Sequence, residues 1–139
     1  MIEISTDTSR LDFDVIHRFL SESSYWASGI PEDLLERAIE NSLCFGAYDD
    51  DVLVGFARVV TDYATFAYLC DVFVLPTHRG QGIGKELLAA IKAHPDLQRL
   101  RRWHLLTRDA HSLYAAFGFK PLESCERHME IAVKNAYVS

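Results

Sequence analysis

The sequence is poor in cysteine, since its 139 residues include only Cys44, Cys70 and Cys125. None of them lies in a C-x-x-C spacing, which excludes the common zinc and thiol-redox motifs. An odd number of thiols also excludes a fully paired disulfide framework. Cys44 and Cys70 lie inside apolar runs, where a free thiol behaves as a small core residue. This cysteine usage predicts a protein of the reducing cytoplasm.

Positive charge is also scarce. Lys and Arg together number 14 against 20 Asp and Glu, which gives a formal net charge of −6. A nucleic-acid binder or a protein of anionic membrane surfaces needs a positive field, so neither partner is expected. The one basic run, Arg99, Arg101 and Arg102, is interpreted as a solvated segment. The six histidines lack the helical pairing or Cys-His spacing of a zinc site, so no metal is expected.

Long apolar runs are absent as well. No stretch approaches the roughly 18 residues that cross a bilayer. The first residues lack the basic segment and apolar stretch of a secretion signal. The composition, 49% hydrophobic and 12% aromatic, is nevertheless that of a chain with a real core. We therefore expect a single soluble cytoplasmic domain over residues 1–139, with no membrane partner.

The apolar spacing alternates between helical and strand-like along the chain. Asp12 is a plausible N-cap, Pro31 suits the first turn of a second helix, and Asp109 and Gly118 suit the start and end of the last helix. The predicted helices are Leu11–Glu22, one after Pro31, Gln81–Ala93 and one after Asp109. The predicted strands are Met1–Ser5, Leu43–Tyr48, Val52–Val60, Thr65–Leu75, Trp103–Thr107, Lys120–Glu123 and Arg127–Val133. This order predicts an α+β fold, with a mixed sheet and helices on both sides.

A glycine-rich loop, Arg79-Gly80-Gln81-Gly82-Ile83-Gly84-Lys85, lies where a buried strand gives way to a helix. The first turn of a helix leaves N–H groups unpaired, and the peptide dipoles make that end positive. Glycines remove the Cβ atoms that would keep a phosphate away from those groups. Arg79 can add charge-assisted hydrogen bonds. The loop therefore predicts a phosphate or pyrophosphate site.

Two common phosphate loops do not fit this spacing. A P-loop needs G-x-x-x-x-G-K-[ST], but only three residues separate Gly80 from Gly84 and Glu86 follows Lys85. A dinucleotide fingerprint needs G-x-G-x-x-G near the first strand of a parallel unit, whereas three strands precede this loop. A purely structural glycine turn before a core helix stays as an alternative.

The segment from Val72 to Gly84 resembles the acetyl-CoA motif of the GNAT superfamily, [RQ]-x-x-G-x-[GA], with Arg79, Gly82 and Gly84 at its defined positions. The resemblance implies the GNAT acyl-CoA N-acyltransferase fold, a twisted, mostly antiparallel sheet flanked by about four helices. It also implies acetyl-CoA (coenzyme A) as cofactor, with a bulged strand along the pantetheine arm and backbone N–H groups around the pyrophosphate. The residues implied to contact the cofactor are Val72, Phe73, Val74, Arg79, Gly80, Gln81, Gly82, Ile83, Gly84, Lys85, Thr107 and Tyr114.

A second segment, Asp109 to Phe119, resembles the family helix A-x-x-[LF]-Y-x-x-x-G-F. The resemblance implies that Tyr114 is the general acid that protonates the departing sulfur. Thr107, seven residues earlier, is implied as a second contact to the cofactor. A backbone N–H near Val74 would polarise the thioester oxygen. A tyrosine in an apolar helix is otherwise a core residue with a bonded hydroxyl.

The general base is the least defined part of the site. Asp71 lies next to the proposed pantetheine segment, where a carboxylate could accept a proton directly or through water. The alternative is a structural partner of the backbone or of an arginine. Glu40, Asp62 and His111 are weaker candidates; His111 has a suitable intrinsic pKa for a proton relay.

Aromatic residues are the candidates for the wall of the acceptor site. The Tyr25-Trp26 turn between the first two helices occupies the segment that commonly lines the acceptor cleft in the family. Phe66 and Tyr68 could contribute from the sheet, and an aromatic wall suits the alkyl part of an amine. Tyr25 and Trp26 could instead seal one end of the core.

These residues together predict an acetyl-CoA-dependent N-acetyltransferase. The expected acceptor is a primary amine of a small molecule or peptide, which attacks the thioester directly. The alternative is a non-catalytic acyl-CoA-binding sensor or partner domain. A homodimer is possible, because small domains with exposed strands often pair.

Overall fold

One sheet organises the protein, and the computed structural model describes residues 1–137. Its five strands follow one another in the order β1-β2-β3-β4-β5. Neighbours from β1 to β4 are antiparallel, whereas β4 and β5 are parallel, so the predicted mixed, mostly antiparallel sheet is confirmed. The strands are β1 (Ile2–Ser5), β2 (Leu43–Asp49), β3 (Val52–Thr61), β4 (Phe66–Val74) and β5 (Arg102–Leu105). The helices are α1 (Phe13–Arg18), α2 (Glu32–Glu40), α3 (Ile83–Ala93) and α4 (His111–Ala115).

Helices cover both faces of the sheet, and the central strands β2 and β3 are buried on both faces over much of their length. On one face, α3 buries its full apolar stripe of Ile83, Leu87, Leu88 and Ile91 against the strands. On the other face, α1 and α2 pack against a second cluster. Its fully buried members include Ile16, Leu20, Leu35 and Phe56. No helix within residues 1–137 is both long enough and apolar enough to cross a membrane.

The first helix is followed directly by a π-helical turn that leads to the aromatic segment at Tyr25. Asp12 caps α1 as predicted, because its Oδ1 accepts a 3.3 Å hydrogen bond from Val15 N–H. The Phe19–Ser23 turn has the wider π geometry, and Ser21 Oγ donates a 2.7 Å hydrogen bond back to His17 O of α1. Ser24 Oγ donates to Leu20 O at 2.7 Å. These bonds end the helix and fix the direction in which the chain leaves it.

The two predicted C-terminal strands, Lys120–Glu123 and Arg127–Val133, are wrong. This part of the chain forms turns, a short 3-10 helix over Cys125–Arg127 and extended backbone without ladder bonds. A strand needs a hydrogen-bonded neighbour as well as an alternating pattern. Within residues 1–137, no segment pairs with the outer edge of β5.

Candidate active site

A cleft opens between β4 and β5 at the end of their parallel pairing. Paired residues run from Phe66 and Arg102 to Leu69 and Leu105. β4 then continues to Val74, whereas β5 ends. The diverging backbones enclose a cavity of about 510 Å³. Beyond Leu69, the backbone groups of β4 that face β5 have no ladder partner among residues 1–137. They are therefore available to a ligand.

A bulge in β4 shapes one wall of this cleft. The pairing of β4 with β3 shifts between Phe56–Phe73 and Arg58–Cys70, and Asp71 has a left-handed φ of +54°. A bulge of this kind redirects side chains on either side of it. Cys70 and Asp71 consequently line the cleft together with Val72.

The three residues predicted to line the pantetheine arm have different surroundings. Val72 lines the cleft. The side chain of Phe73 points into the core, where its ring stacks on Phe19 with centroids 4.1 Å apart. Val74 packs partly against the α3 core, and its carbonyl accepts a 3.1 Å hydrogen bond from Arg79 Nε. A ligand could therefore meet Phe73 only through its backbone.

The glycine loop forms an open, positively polarised end of α3. Gly80 and Gly82 have φ values of +81° and +78°, which L residues rarely adopt. Gly82 caps the helix without any side-chain bond. The first helical hydrogen bond runs from Glu86 N–H to Gly82 O at 3.1 Å. The N–H groups of the three residues in between, 83–85, therefore have no carbonyl partner within the helix.

Space for a ligand exists directly above this loop. A Cβ atom built on Gly80 or Gly82 would meet no protein atom within 4 Å, so the protein leaves this side of the loop open. A Cβ on Gly84 would lie 3.9 Å from Leu113 Cδ2, which shows that the start of α3 adjoins α4. Unpaired N–H groups, the helix dipole and open space together fit a phosphate or pyrophosphate group.

Tyr114 lies on α4 at the boundary between the cleft and a smaller cavity beneath β5. Burial raises the pKa of its hydroxyl above the ordinary value, and the neighbouring Tyr25 and Asp109 act in the same direction. The hydroxyl therefore keeps its proton at neutral pH. No hydrogen-bond partner is found for it among residues 1–137, so it differs from a bonded core tyrosine.

The start of α4 differs from the prediction. Asp109 does not cap the helix; instead Thr107 Oγ1 accepts a 3.0 Å hydrogen bond from Ala110 N–H. Thr107 lines the cleft, and its hydroxyl oxygen is already engaged in this bond before the helix. Asp109 is exposed at the cleft mouth, where its carboxylate accepts no bond from the described residues. Gly118, with φ of +96°, follows the helix as predicted.

Asp71 takes part in a buried polar network. Its Oδ1 accepts a 2.8 Å hydrogen bond from Trp26 Nε1, and its Oδ2 accepts a 2.8 Å bond from Arg58 Nε. Arg58 also donates to Ser42 Oγ at 3.1 Å. Only 9% of Asp71 is exposed. The predicted alternative, a structural partner of an arginine, is therefore observed, and the role of Asp71 as general base stays a prediction.

Tyr25 and Trp26 line the cleft and are exposed to 50% and 42%. Tyr25 Oη accepts a 3.2 Å hydrogen bond from Arg108 N–H, and the Arg108 guanidinium lies 3.9 Å from the Tyr25 ring centroid. The two aromatic rings meet edge to face at 5.0 Å. Tyr68 joins them from β4, whereas Phe66, at the far end of that strand, lies outside the cleft beside His104.

The three weaker base candidates lie away from the cleft. Glu40 is the last residue of α2. Asp62 holds a turn by accepting bonds from Ala64 and Thr65, and these bonds lower the pKa of its carboxyl far below the usual range. His111 begins α4 and faces the smaller cavity.

Three residues of the site were missed by the sequence analysis. Arg58 is the one charge in the apolar β3, and a charge in such a strand needs a partner, so its position was a usable signal. Arg108 has no comparable signal, because a charged residue after a strand is ordinary. Cys70 was expected in the core but lines the cleft, and burial raises the pKa of its thiol to about 12.

A bulged strand splayed from a parallel neighbour, next to a glycine-capped helix and a half-buried tyrosine, defines the GNAT class of fold. A family model described as "Acetyltransferase (GNAT) domain" matches residues 40–121. The chain therefore belongs to the GNAT acetyltransferase family.

Individual relatives agree with this assignment. A provisionally named acetyltransferase of Gibberella zeae is 35% identical over 131 residues, with 80% of this chain and 74% of that protein covered. The crystal structure of a provisional GNAT-family acetyltransferase from Xanthomonas campestris pv. campestris is 54% identical, with a TM-score of 0.98 over 100% of this chain and 98% of that one.

A more distant structure shares the fold alone. A predicted acetyltransferase of Clostridium acetobutylicum, crystallised with acetyl-CoA, is 14% identical, with a TM-score of 0.66 over 95% of this chain and 96% of that one.

Proposed function

We propose that the protein is an acetyl-CoA-dependent N-acetyltransferase that acetylates a primary amine of a small molecule or peptide by direct attack. The observation that carries this proposal is the position of Tyr114. Tyr114 keeps its proton and lines the same cleft as Tyr25 and Trp26. Its helix, α4, adjoins the glycine loop at the start of α3.

The glycine loop suits the pyrophosphate of coenzyme A, and the part of β4 that extends beyond its pairing with β5 suits the pantetheine arm. The free N–H groups at the start of α3 would hold the pyrophosphate, as the dipole of an 11-residue helix favours negative charge there. The unpaired backbone around Val72 would hold the amide-containing pantetheine arm. When bound, acetyl-CoA supplies an activated acetyl thioester. The acetyl-CoA of the Clostridium acetobutylicum neighbour supports this ligand for the shared fold.

Tyr114 is the proposed proton donor to the sulfur that leaves when the amine nitrogen bonds to the acetyl carbon. Its proton must pass to a thiolate of ordinarily lower pKa. Desolvation, the main cause that raises the pKa of Tyr114, would also raise the proton affinity of a thiolate in the same cleft, which favours the transfer.

Asp109 is the better placed acceptor for the proton that the amine loses. Its carboxylate lies at the cleft mouth with no bond from the described residues, whereas both oxygens of Asp71 are engaged. We therefore assign Asp71 a positioning role and Asp109 the role of base, directly or through water.

An acyl-enzyme is not part of the proposal. Cys70 is the one thiol on the cleft wall, and burial raises its pKa to about 12. A thiol in this state is almost entirely protonated at neutral pH and is a poor nucleophile. The amine therefore attacks the thioester without a covalent intermediate on the protein.

A non-catalytic acyl-CoA-binding domain is the second candidate. The observation that favours it is that Asp71, the most buried carboxylate of the cleft, is held by Arg58 and Trp26 and is not free to take a proton. The two functions differ in turnover and not in binding. A binding domain would titrate with acetyl-CoA and release no thiol with any amine.

The test is calorimetric titration with acetyl-CoA followed by a thiol-release assay over a panel of amines. We expect binding, amine-dependent release of coenzyme A, and a loss of about 100-fold in kcat for Tyr114→Phe with unchanged acetyl-CoA affinity. Gly82→Glu is the matched binding control, since it places bulk and charge at the loop. Equal turnover by Tyr114→Phe removes Tyr114 from its role. Absence of binding by the wild type refutes the proposal.

A further inference from the structure

Two opposite charges stand side by side at the mouth of the cleft without pairing. Arg108 and Asp109 follow each other shortly after β5, both are exposed, and both line the cleft that Tyr114 also lines. No ion pair joins Arg108 to Asp109 or to any other carboxylate within residues 1–137. The cleft therefore presents a cation and an anion that the described chain itself does not neutralise.

The cation is held in place although it is exposed. The guanidinium carbon of Arg108 lies 3.9 Å from the centroid of the Tyr25 ring, which is a cation–π contact. The backbone N–H of Arg108 donates a 3.2 Å hydrogen bond to Tyr25 Oη, and the Tyr25 ring meets Trp26 edge to face at 5.0 Å. Since an ordered side chain loses less conformational entropy on binding, Arg108 is preorganised for a ligand.

The hydrogen-bond donors around this cation are unused. Within the described chain, Arg108 forms hydrogen bonds only through its backbone. The hydroxyl proton of Tyr25, whose oxygen accepts one of those bonds, has no acceptor there either. A cation–π contact leaves N–H donors of a guanidinium for oxygen acceptors, and their fork matches a carboxylate or a phosphate. Arg108 and Tyr25 together therefore offer several donors to an anionic group.

The opposite charge lies at the reacting end of the cleft. Burial raises the pKa of the Tyr114 hydroxyl, and the charges of Tyr25 and Asp109 add to this rise. Because the effect of a charge falls with distance, the Asp109 carboxylate is near that hydroxyl. An amine beside Asp109 would therefore be close to the group that protonates the leaving sulfur.

A cation and an anion on one wall complement an acceptor that has both charges. A simple alkylammonium ion would be attracted by Asp109 and repelled by Arg108, whereas a zwitterion is attracted by both. The formal net charge of −6 repels anions in general, so an acidic acceptor needs a specific cation at its site. Arg108 meets this need.

We propose that the acceptor is a small amine that also carries a carboxylate or phosphate group, and that Arg108 binds this anionic group. The inference rests on the proposed N-acetyltransferase function and narrows its acceptor to a zwitterionic one. The nitrogen of the neutral amine bonds to the acetyl carbon, and the bond from that carbon to sulfur breaks. The amine proton passes to Asp109, and the sulfur takes the proton of Tyr114. Arg108 changes no bond and selects the acceptor.

The first test compares acceptors that differ only in the anionic group. Thiol release is measured for the standard amino acids against their α-amides, for ω-amino acids of increasing length against their ω-amides, and for phosphoethanolamine against ethanolamine. We expect at least one acidic acceptor to have a kcat/KM about 10-fold or more above that of its neutral partner. The carboxylate and phosphate pairs show which anion is used. Neutral partners that match or exceed every acidic acceptor overturn the inference and leave the proposed function intact.

Arg108→Met tests the assigned residue, because it removes the charge and keeps an apolar chain beside Tyr25. We expect the KM for the acidic acceptor to rise about 10-fold with kcat nearly unchanged, and the KM for its neutral partner to stay the same. Arg108→Lys should be intermediate, since an ammonium keeps the charge but loses the fork. Arg99→Met, the same change at an exposed arginine outside the cleft, is the control. An equal loss for acidic and neutral acceptors in Arg108→Met would mean a structural role and overturn the assignment.

A binding measurement separates failure of this inference from failure of the proposed function. The same acid and amide pairs are titrated by calorimetry into protein saturated with coenzyme A, which requires no turnover. Selective binding of acidic members without acetylation of any amine would support the anion site and refute the acetyltransferase. Acetylation of amines with equal binding of acid and amide would refute the anion site alone. Neither binding nor acetylation of any member would refute both.

Discussion

The indole N–H of Trp26 donates a 2.8 Å hydrogen bond to Oδ1 of Asp71, the residue with left-handed φ at the bulge of β4. This bond connects the aromatic wall of the cleft to the strand that lies along the proposed cofactor path. The second oxygen of the same carboxylate is held by Arg58. One carboxylate thus fixes the wall, the bulge and a buried cation relative to one another.

Asp71→Asn should destabilise the protein by about 2 to 3 kcal/mol. The loss leaves Arg58, whose side chain is 18% exposed, without its counter-charge, and removing one member of a buried pair costs several kcal/mol before solvent access is considered. Backbone strain does not contribute, because Asn tolerates positive φ as well as Asp does. Urea unfolding at pH 7 measures the change.

Replacing both charges separates the two effects. In Asp71→Asn/Arg58→Met, no unpaired charge is buried, so much of the lost stability should return. An Asp71→Asn protein as stable as the wild type would mean that the ion pair contributes nothing to folding.

Trp26→Phe should raise the KM for the amine several-fold and leave acetyl-CoA affinity unchanged. The phenyl ring keeps part of the wall but loses the hydrogen bond that orients it on Asp71. Steady-state kinetics with both substrates varied measure the KM for the amine and the KM for acetyl-CoA separately, and calorimetric titration measures the affinity for acetyl-CoA. Val60→Ala, a change at an apolar residue 40% exposed on β3, is the control. An increase in the acetyl-CoA dissociation constant would instead place Trp26 on the cofactor side.

Much of the fold could be predicted because its signals are local. The hairpin of β2 and β3 follows from two β-rich runs around an acidic turn, and the glycine loop follows from its spacing. Tyr114 and the Tyr25-Trp26 wall were found through the family resemblance, and the structure brings them to one cleft.

The remaining features depend on distant partners. Asp71 and Arg58 are 13 residues apart and meet because of a register shift between β3 and β4, which no local pattern encodes. Thr107 and Asp109 are both residue types that cap helices, yet α4 has no side-chain cap, and Thr107 Oγ1 instead accepts from Ala110 N–H just before the helix. Residues 128–133 have the alternation of a strand, but a strand also needs a hydrogen-bonded neighbour, and none within residues 1–137 pairs with them.

Gly84→Ala and Gly82→Ala should separate the roles of the loop glycines. Gly82 has φ of +78°, so alanine there should cost about 1 to 2 kcal/mol of folding free energy. Gly84 has ordinary helical geometry, and its new Cβ would make a normal 3.9 Å contact with Leu113. Alanine at 84 should therefore leave stability unchanged or raise it by about 0.5 kcal/mol.

The ligand response of Gly84→Ala carries the functional information. We expect acetyl-CoA binding by Gly84→Ala to match that of the wild type, because the motif that this segment resembles accepts alanine at the position of Gly84, whereas Gly82→Ala should bind more weakly. Thermal unfolding and calorimetric titration of the same samples measure the two quantities. Weaker binding by Gly84→Ala would contradict the resemblance and would show that this position tolerates only glycine beside the pyrophosphate.

Stability should fall as pH rises above about 9, because the thiols of Cys44, which is buried, and Cys70, which is half-buried on the cleft wall, stay protonated in the folded state. Burial raises the pKa of Cys44 and of Cys70 to about 12, whereas an unfolded thiol titrates near 8.5. The folded pKa values lie above the unfolded ones, so their stabilising contribution is complete below the unfolded pKa and is lost as pH rises toward 12. Each thiol should cost about 1 kcal/mol per pH unit in that window.

Urea unfolding at pH 8 and pH 10, with a non-thiol reductant, measures this dependence. Cys44→Ala/Cys70→Ala should be less stable at pH 8, because it removes buried volume, yet should lose much less stability between the two pH values. Tyr48, Tyr68 and Tyr114, whose pKa values burial also raises, act in the same direction, but their unfolded pKa near 10 delays the effect. Equal slopes for the variant and the wild type would assign the alkaline loss to the tyrosines and not to the thiols.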